Sequence, residues 1–171
     1  FNFKENKSKI VIFEQKLFYY KLNLLCDRIN WYGTRAVKKK DLIDFEWLRQ
    51  IKSKKYPLFR LDTLFKKDRY IDVKIIKNGG WHFTNLKTPE QLFEKLSNFG
   101  HHDEFELSGI TLNDLQEKIN NKEVFFNHFV DKENYKERWN YDYKLKKIDI
   151  NQLPEYFHSN ENRLKLKDWF D

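Results

Sequence analysis

The spacing of apolar and polar positions predicts a succession of short strands and helices. Lys9 to Phe13 is apolar and β-branched, as in a strand. Leu17 to Leu25 fits either period through Leu17, Phe18, Leu22 and Leu25, and the tyrosine pair inside it favours a strand. Asp27 to Asn30 punctuates the pattern. Trp31 to Val37 then predicts a further strand with Gly33 inside it, where the backbone bends or something approaches closely. Asp41 to Ile51 predicts a short helix, and Pro57 ends that region. Ile71, Val73 and Ile75 alternate with Asp72 and Lys74, which is a strand signature. Asn78-Gly79-Gly80 predicts a turn or bulge, and Trp81-His82-Phe83 follows directly.

Thr88-Pro89-Glu90-Gln91 predicts a helix start. Thr88 can accept from the free amide three residues on, Pro89 suits the first helical position, and Gln91 can reach back. Leu92, Phe93 and Leu96 form one face, and the helix should stop near Phe99-Gly100. Thr111 opens a similar helix, with Leu112, Leu115 and Ile119 on its stripe and Asn120-Asn121 at its end. Past residue 124 the chain is aromatic and polar with weak periodicity. Lys144 to Ile150 predicts a final strand, and Asn160 to Phe170 a short helix. Strands mixed with helices predict an α/β or α+β fold.

Composition narrows the class. The 171 residues suit one domain with a real core. Hydrophobic residues at 40% and charged residues at 35% exclude a disordered tail. Aromatics reach 18%; these serve either as core and strand formers or as stacking platforms for sugar rings. A net charge of +7 can attract nucleic acid, an anionic membrane or phosphate-bearing small molecules. Lysine greatly outnumbers arginine, whereas specific nucleic-acid readers favour arginine for base contacts. The single cysteine, Cys26, cannot form an internal disulfide, which fits a reducing compartment and a cytoplasmic location. No apolar run reaches membrane-span length, and no signal peptide is visible. The chain contains no methionine and opens in mid-pattern, which predicts further residues upstream of Phe1.

Two clusters carry candidate chemistry. In Gly79-Gly80-Trp81-His82, the glycines allow close backbone approach beside an indole and an imidazole. That group suits a sugar ring, a phosphate or a metal; it also suits a tight turn entering a buried strand. His101-His102-Asp103-Glu104 offers two imidazoles and two carboxylates for a divalent ion or acid–base work, or else a solvated loop. No P-loop, dinucleotide-binding glycine pattern, nucleophile elbow or zinc cysteine pair is present.

Several segments, in order, resemble glycosyltransferase family 17. Phe18-Tyr19-Tyr20-Lys21-Leu22-Asn23 and then Trp31-Tyr32-Gly33-Thr34 are similar to the family's Tyr-Tyr-x-Leu-Asn and Trp-x-Gly-Thr segments. Gly80-Trp81-His82-Phe83-Thr84 resembles its Gly-Trp-His motif. Lys95 to His101 and then Glu104 resemble its Lys-x-x-Ser-Phe-x-His-x-Glu region with one residue inserted, so that either His101 or His102 is the counterpart. Leu153-Pro154-Glu155-Tyr156 resembles its closing Leu-Pro-x-Tyr segment.

The resemblance implies a GT-A-like α/β fold, with residues 1–171 as the C-terminal part of one glycosyltransferase domain. It implies transfer of a sugar, N-acetylglucosamine from UDP-GlcNAc, to an acceptor glycan with inversion. The partners are then the nucleotide-sugar donor and the glycan acceptor, without nucleic acid; peripheral membrane contact is left open, and a secretory-pathway relative would place the chain in the Golgi lumen. The resemblance further implies a divalent cation, manganese or magnesium, whose Asp-x-Asp-type ligands would precede this chain. His82 is then a candidate metal or diphosphate ligand, Glu104 the first and Asp103 the second candidate base, Trp81 or Trp31 a sugar platform, Gly80 a close-approach position and Lys95 a phosphate contact. The rival reading is a basic, aromatic-rich module that binds nucleic acid or anionic glycan without catalysis.

Overall fold

The structure is a computed structural model and describes residues 4–53, 71–100, 102–130, 134–139 and 141–171. The expected helix end at Pro57, and His101, lie outside the described residues. The chain divides into two compact units.

One unit draws on residues 1–15 and 30–80. Its sheet has the order β4-β1-β5, from β1 (Ile10–Phe13), β4 (Arg35–Val37) and β5 (Val73–Ile76). β1 runs antiparallel to β4 and parallel to β5. Its β-branched run is buried on both faces, as suits a central strand. Ile10, Ile12 and Ile51 form an aliphatic core, with Val37, Trp47, Leu48 and Val73 packed against it. The predicted helix over 41–51 is divided. A short 3-10 turn spans Lys39–Asp41, and α1 (Phe45–Gln50) starts afresh because the Asp44 side chain accepts from the Trp47 amide at 2.6 Å. The strand expected from Trp31 begins only at Arg35. The Trp31 indole lies against Gly33 so closely that a Cβ there would sit 2.1 Å from Nε1, so the segment turns where only glycine fits.

The other unit draws on residues 16–29 and 81–171. It contains a four-stranded sheet of order β6-β2-β3-β9, from β2 (Gln15–Tyr19), β3 (Leu24–Trp31), β6 (Trp81–Thr84) and β9 (Lys146–Lys147). β2 pairs parallel with β6, and β3 pairs antiparallel with β9. The predicted break at Asp27–Asn30 is instead strand. Lys146 and the Tyr143 hydroxyl both hold the Asp27 carboxylate, so tertiary partners override its turn tendency.

Helices α2 (Pro89–Ser97) and α4 (Leu112–Asn120) both start in complete capping boxes, Thr88 with Gln91 and Thr111 with Asp114. Between them lies α3 (His102–Ser108). After β7 (Glu123–Val124) come α5 (Tyr135–Trp139) and β8 (Tyr143–Lys144), the latter antiparallel to β7. The single strand expected over 144–150 is broken at the buried Leu145, which separates β8 from β9. α6 (Asn160–Lys165) follows near the end.

Much of the family-like Tyr-Tyr-x-Leu-Asn segment has a structural use. The Tyr20 hydroxyl donates to the Glu123 carbonyl at 2.9 Å. The buried Asn23 side chain accepts from the Asp171 amide at 2.9 Å and donates to its carbonyl at 3.2 Å. Phe18 and Leu22 pack with Leu153 and Phe157 in one core. A second, aromatic cluster joins Phe105, Phe125, Phe126 and Trp139.

Candidate functional site

The ends of β2 and β6 open onto a hollow of about 180 Å³ in the second unit. Tyr19 and Thr84 line it together with Lys95 of α2, Glu104 of α3, Arg138 of α5 and His128. Phe99, Phe125, Phe126 and Trp139 supply apolar walls.

Each polar group is positioned by its neighbours. Asn85, just past β6, adopts a positive φ of 53°, a conformation asparagine tolerates better than most residues. Its Oδ1 accepts from the Lys95 ammonium at 2.7 Å. Burial, and then the charge of Lys87, lower the Lys95 pKa. Arg138 Nη1 donates to Glu104 Oε2 at 3.1 Å, and both side chains are mostly buried. The guanidinium also lies 4.7 Å from the Phe126 ring centre, in cation–π range. Tyr19 Oη and His128 Nε2 are 2.7 Å apart. Burial, reinforced by the Arg138 charge, lowers the His128 pKa, so the imidazole is neutral at pH 7. Burial raises the Tyr19 pKa, so its hydroxyl keeps its proton.

Two donors in this wall have no acceptor among the described residues: Arg138 Nε and Trp139 Nε1, both buried. Neither side chain can accept, so the demand is for acceptor atoms. Chemically the hollow offers a guanidinium, an ammonium, a neutral imidazole and aromatic surface, against one carboxylate. Such a lining suits an acceptor-rich anion attached to a ring.

Of the sequence candidates, Lys95 and Glu104 meet in this hollow. Asp103 does not. Its side chain is 84% exposed, with its carboxylate 3.0 Å from His102 Nε2. His102 lies on α3, where a solvated loop was the alternative expectation, and its Nδ1 is 3.2 Å from the Phe99 carbonyl oxygen. Trp31 and Gly80 belong to the first unit. Gly80 has a φ of 130°, which an L side chain rarely adopts. Trp81 is 39% exposed, and its indole N–H donates to the Gln152 carbonyl at 2.8 Å.

His82 is half-buried on β6, in register with Leu17. Strand alternation places it on the sheet face that carries Thr84 and Tyr19, one repeat away. Burial lowers its pKa, so it too is neutral at pH 7. Among the described residues, no three or more His, Cys, Asp or Glu side chains gather to hold a metal, at His82 or elsewhere. These residues therefore do not by themselves fit a divalent ion.

Sequence reading missed His128 and Arg138, and quoted Tyr19 only within a motif. Both missed residues fall past residue 124, where no apolar period marks a face. The only local signal is a cationic or titratable residue set among aromatics, as in Phe125-Phe126-Asn127-His128 and Arg138-Trp139. A larger hollow of about 480 Å³ beside α4 is also polar, and several of its charged groups are already engaged. Asp114 completes a helix cap, and Glu123 pairs with Lys118 and Lys144. No family model matches the chain, and neither does any curated protein or solved structure.

Proposed function

We propose that the second unit binds the phosphate end of a nucleotide-sugar donor in the Lys95–Arg138 hollow, as part of a glycosyltransferase. The observation that carries this reading is the convergence of two cations and aromatic walls in one place. The ordered motif series, with Gly80-Trp81-His82 at its centre, narrows the anion to a sugar nucleotide. About 180 Å³ is less than a drug-sized site. It takes the charged group and part of a ring, and the rest of the donor lies over the rim.

In this reading Arg138 and Lys95 hold the diphosphate, and half-exposed Phe99 offers ring surface at the mouth. The charge that grows on a leaving diphosphate is what such cations stabilise. Neutral His128, bonded to the Tyr19 hydroxyl, adds no charge. Glu104, already bound to Arg138, acts here as a charge partner. A metal, if the reaction uses one, finds no cluster among the described residues, and no step is assigned to it.

Calorimetric titration tests the reading. UDP and UDP-GlcNAc should bind saturably and uridine should not. Arg138→Ala should weaken UDP binding by about tenfold or more, as expected when a charge-assisted hydrogen bond is removed. No heat from UDP, together with salt-sensitive binding of single-stranded RNA, would instead favour the nucleic-acid module.

A further inference from the structure

The charged groups in the hollow favour an anion, with one exception. Lys95 rests on the neutral amide oxygen of Asn85. Arg138 presents a fork of donors, yet it makes one N–H···O contact to Glu104 and leaves Nε buried without an acceptor among the described residues. A guanidinium fork is suited to two parallel bonds with a carboxylate or phosphate. The present pairing therefore uses the fork incompletely.

The exception is Glu104. The first turn of α3 carries two carboxylates with different fates. Asp103 faces solvent beside His102, while Glu104 turns inward onto Arg138. A mostly buried guanidinium with no carboxylate beside it would leave that charge uncompensated, which is costly. A carboxylate on the hollow's own rim removes that cost in the free protein.

We infer that the Glu104 carboxylate is a placeholder that occupies, in the free protein, the position on Arg138 which a ligand phosphate takes. This rests on the nucleotide reading for the identity of the ligand, though not for the exchange itself. A phosphate carries more charge than a carboxylate and has enough oxygens to reach Arg138 and Lys95 together. When it enters, Glu104 leaves Arg138, and the exchange conserves ion pairing on the guanidinium. Glu104 therefore competes with the ligand and weakens its binding. No covalent step is involved. Tyr19 from β2, Lys95 from α2 and His128 line the hollow around the exchange.

The test uses the full chain with UDP and inorganic diphosphate as separate probes, titrated against wild type, Glu104→Gln and Glu104→Asp. Glu104→Gln keeps the shape and removes the charge; it should bind both probes about tenfold more tightly. Glu104→Asp draws the carboxylate back by one methylene and should fall between the two, which keeps the test alive if the glutamine variant folds poorly. Without ligand, Glu104→Gln should melt below wild type, and diphosphate should restore most of the difference. Tighter diphosphate binding with no UDP binding would support the exchange and overturn the nucleotide reading. UDP binding that is equal or weaker in both variants would overturn the exchange and leave the nucleotide reading standing. No binding of either probe to any of the three proteins would overturn both.

Discussion

The aliphatic core around β1 and the aromatic hollow beneath α2 and α5 use burial for opposite ends. In the first, Ile10, Ile12 and Ile51 bury apolar groups alone, so every buried atom contributes to stability. In the second, the aromatic walls surround an ion pair, an ammonium, an imidazole and two donors without acceptors among the described residues. Burying such groups costs free energy, and leaving donors unmatched costs more. The contrast is what the proposed binding role of the hollow leads one to expect.

Substitutions can sharpen that contrast. The largest loss of stability is expected in the aliphatic core. Ile12→Ala should cost about 2–5 kcal/mol through lost transfer energy and a cavity. Its UDP affinity, measured on the folded protein, should be unchanged. Arg138→Ala should cost less, about 1–3 kcal/mol, because the mostly buried Glu104 loses the Arg138 contact. In that variant the larger effect should be on ligand binding. Urea titration compares the two variants on one scale. If Arg138→Ala proved harmless to both properties, the contrast would be empty.

The smallest effect is a pH dependence. His128 and His82 both have folded pKa values below the ordinary 6.5, through burial. An unfolded chain takes up those protons first as pH falls. The stability tied to the neutral imidazoles is therefore complete above about pH 6.5 and is lost as pH falls through the depressed values. Melts between pH 7.5 and 5 should show this slope, and His128→Gln should flatten it. A slope of the opposite sign, or one untouched by the substitution, would remove His128 from the account.

What the chain reveals before folding follows from the same contrast. The Thr88-Gln91 capping box was legible, and so was the helix start at Thr111, because a cap acts within one turn. The β1 strand was legible from its β-branched run. The strand through Asp27–Asn30 was not, because its carboxylate is satisfied by Tyr143 and Lys146, more than a hundred residues away. The site divides in the same way. Lys95 and Glu104 could be named from the family-like segment that contains them. His128 and Arg138 could not, since their stretch has no period and their meaning comes only from tertiary neighbours. Trp81 shows the converse, as an indole that reads as a platform while its N–H caps the carbonyl of a nearby turn.

The central claim concerns where a phosphate-bearing ligand goes. NMR spectra of the labelled chain during a UDP titration would follow the Arg138 Nε–H and His128 imidazole signals alongside the methyls of Ile10 and Ile12. The expected result is a saturable shift of the first pair with the methyl signals unmoved. Shifts confined to other parts of the molecule, or none up to millimolar UDP, would contradict it.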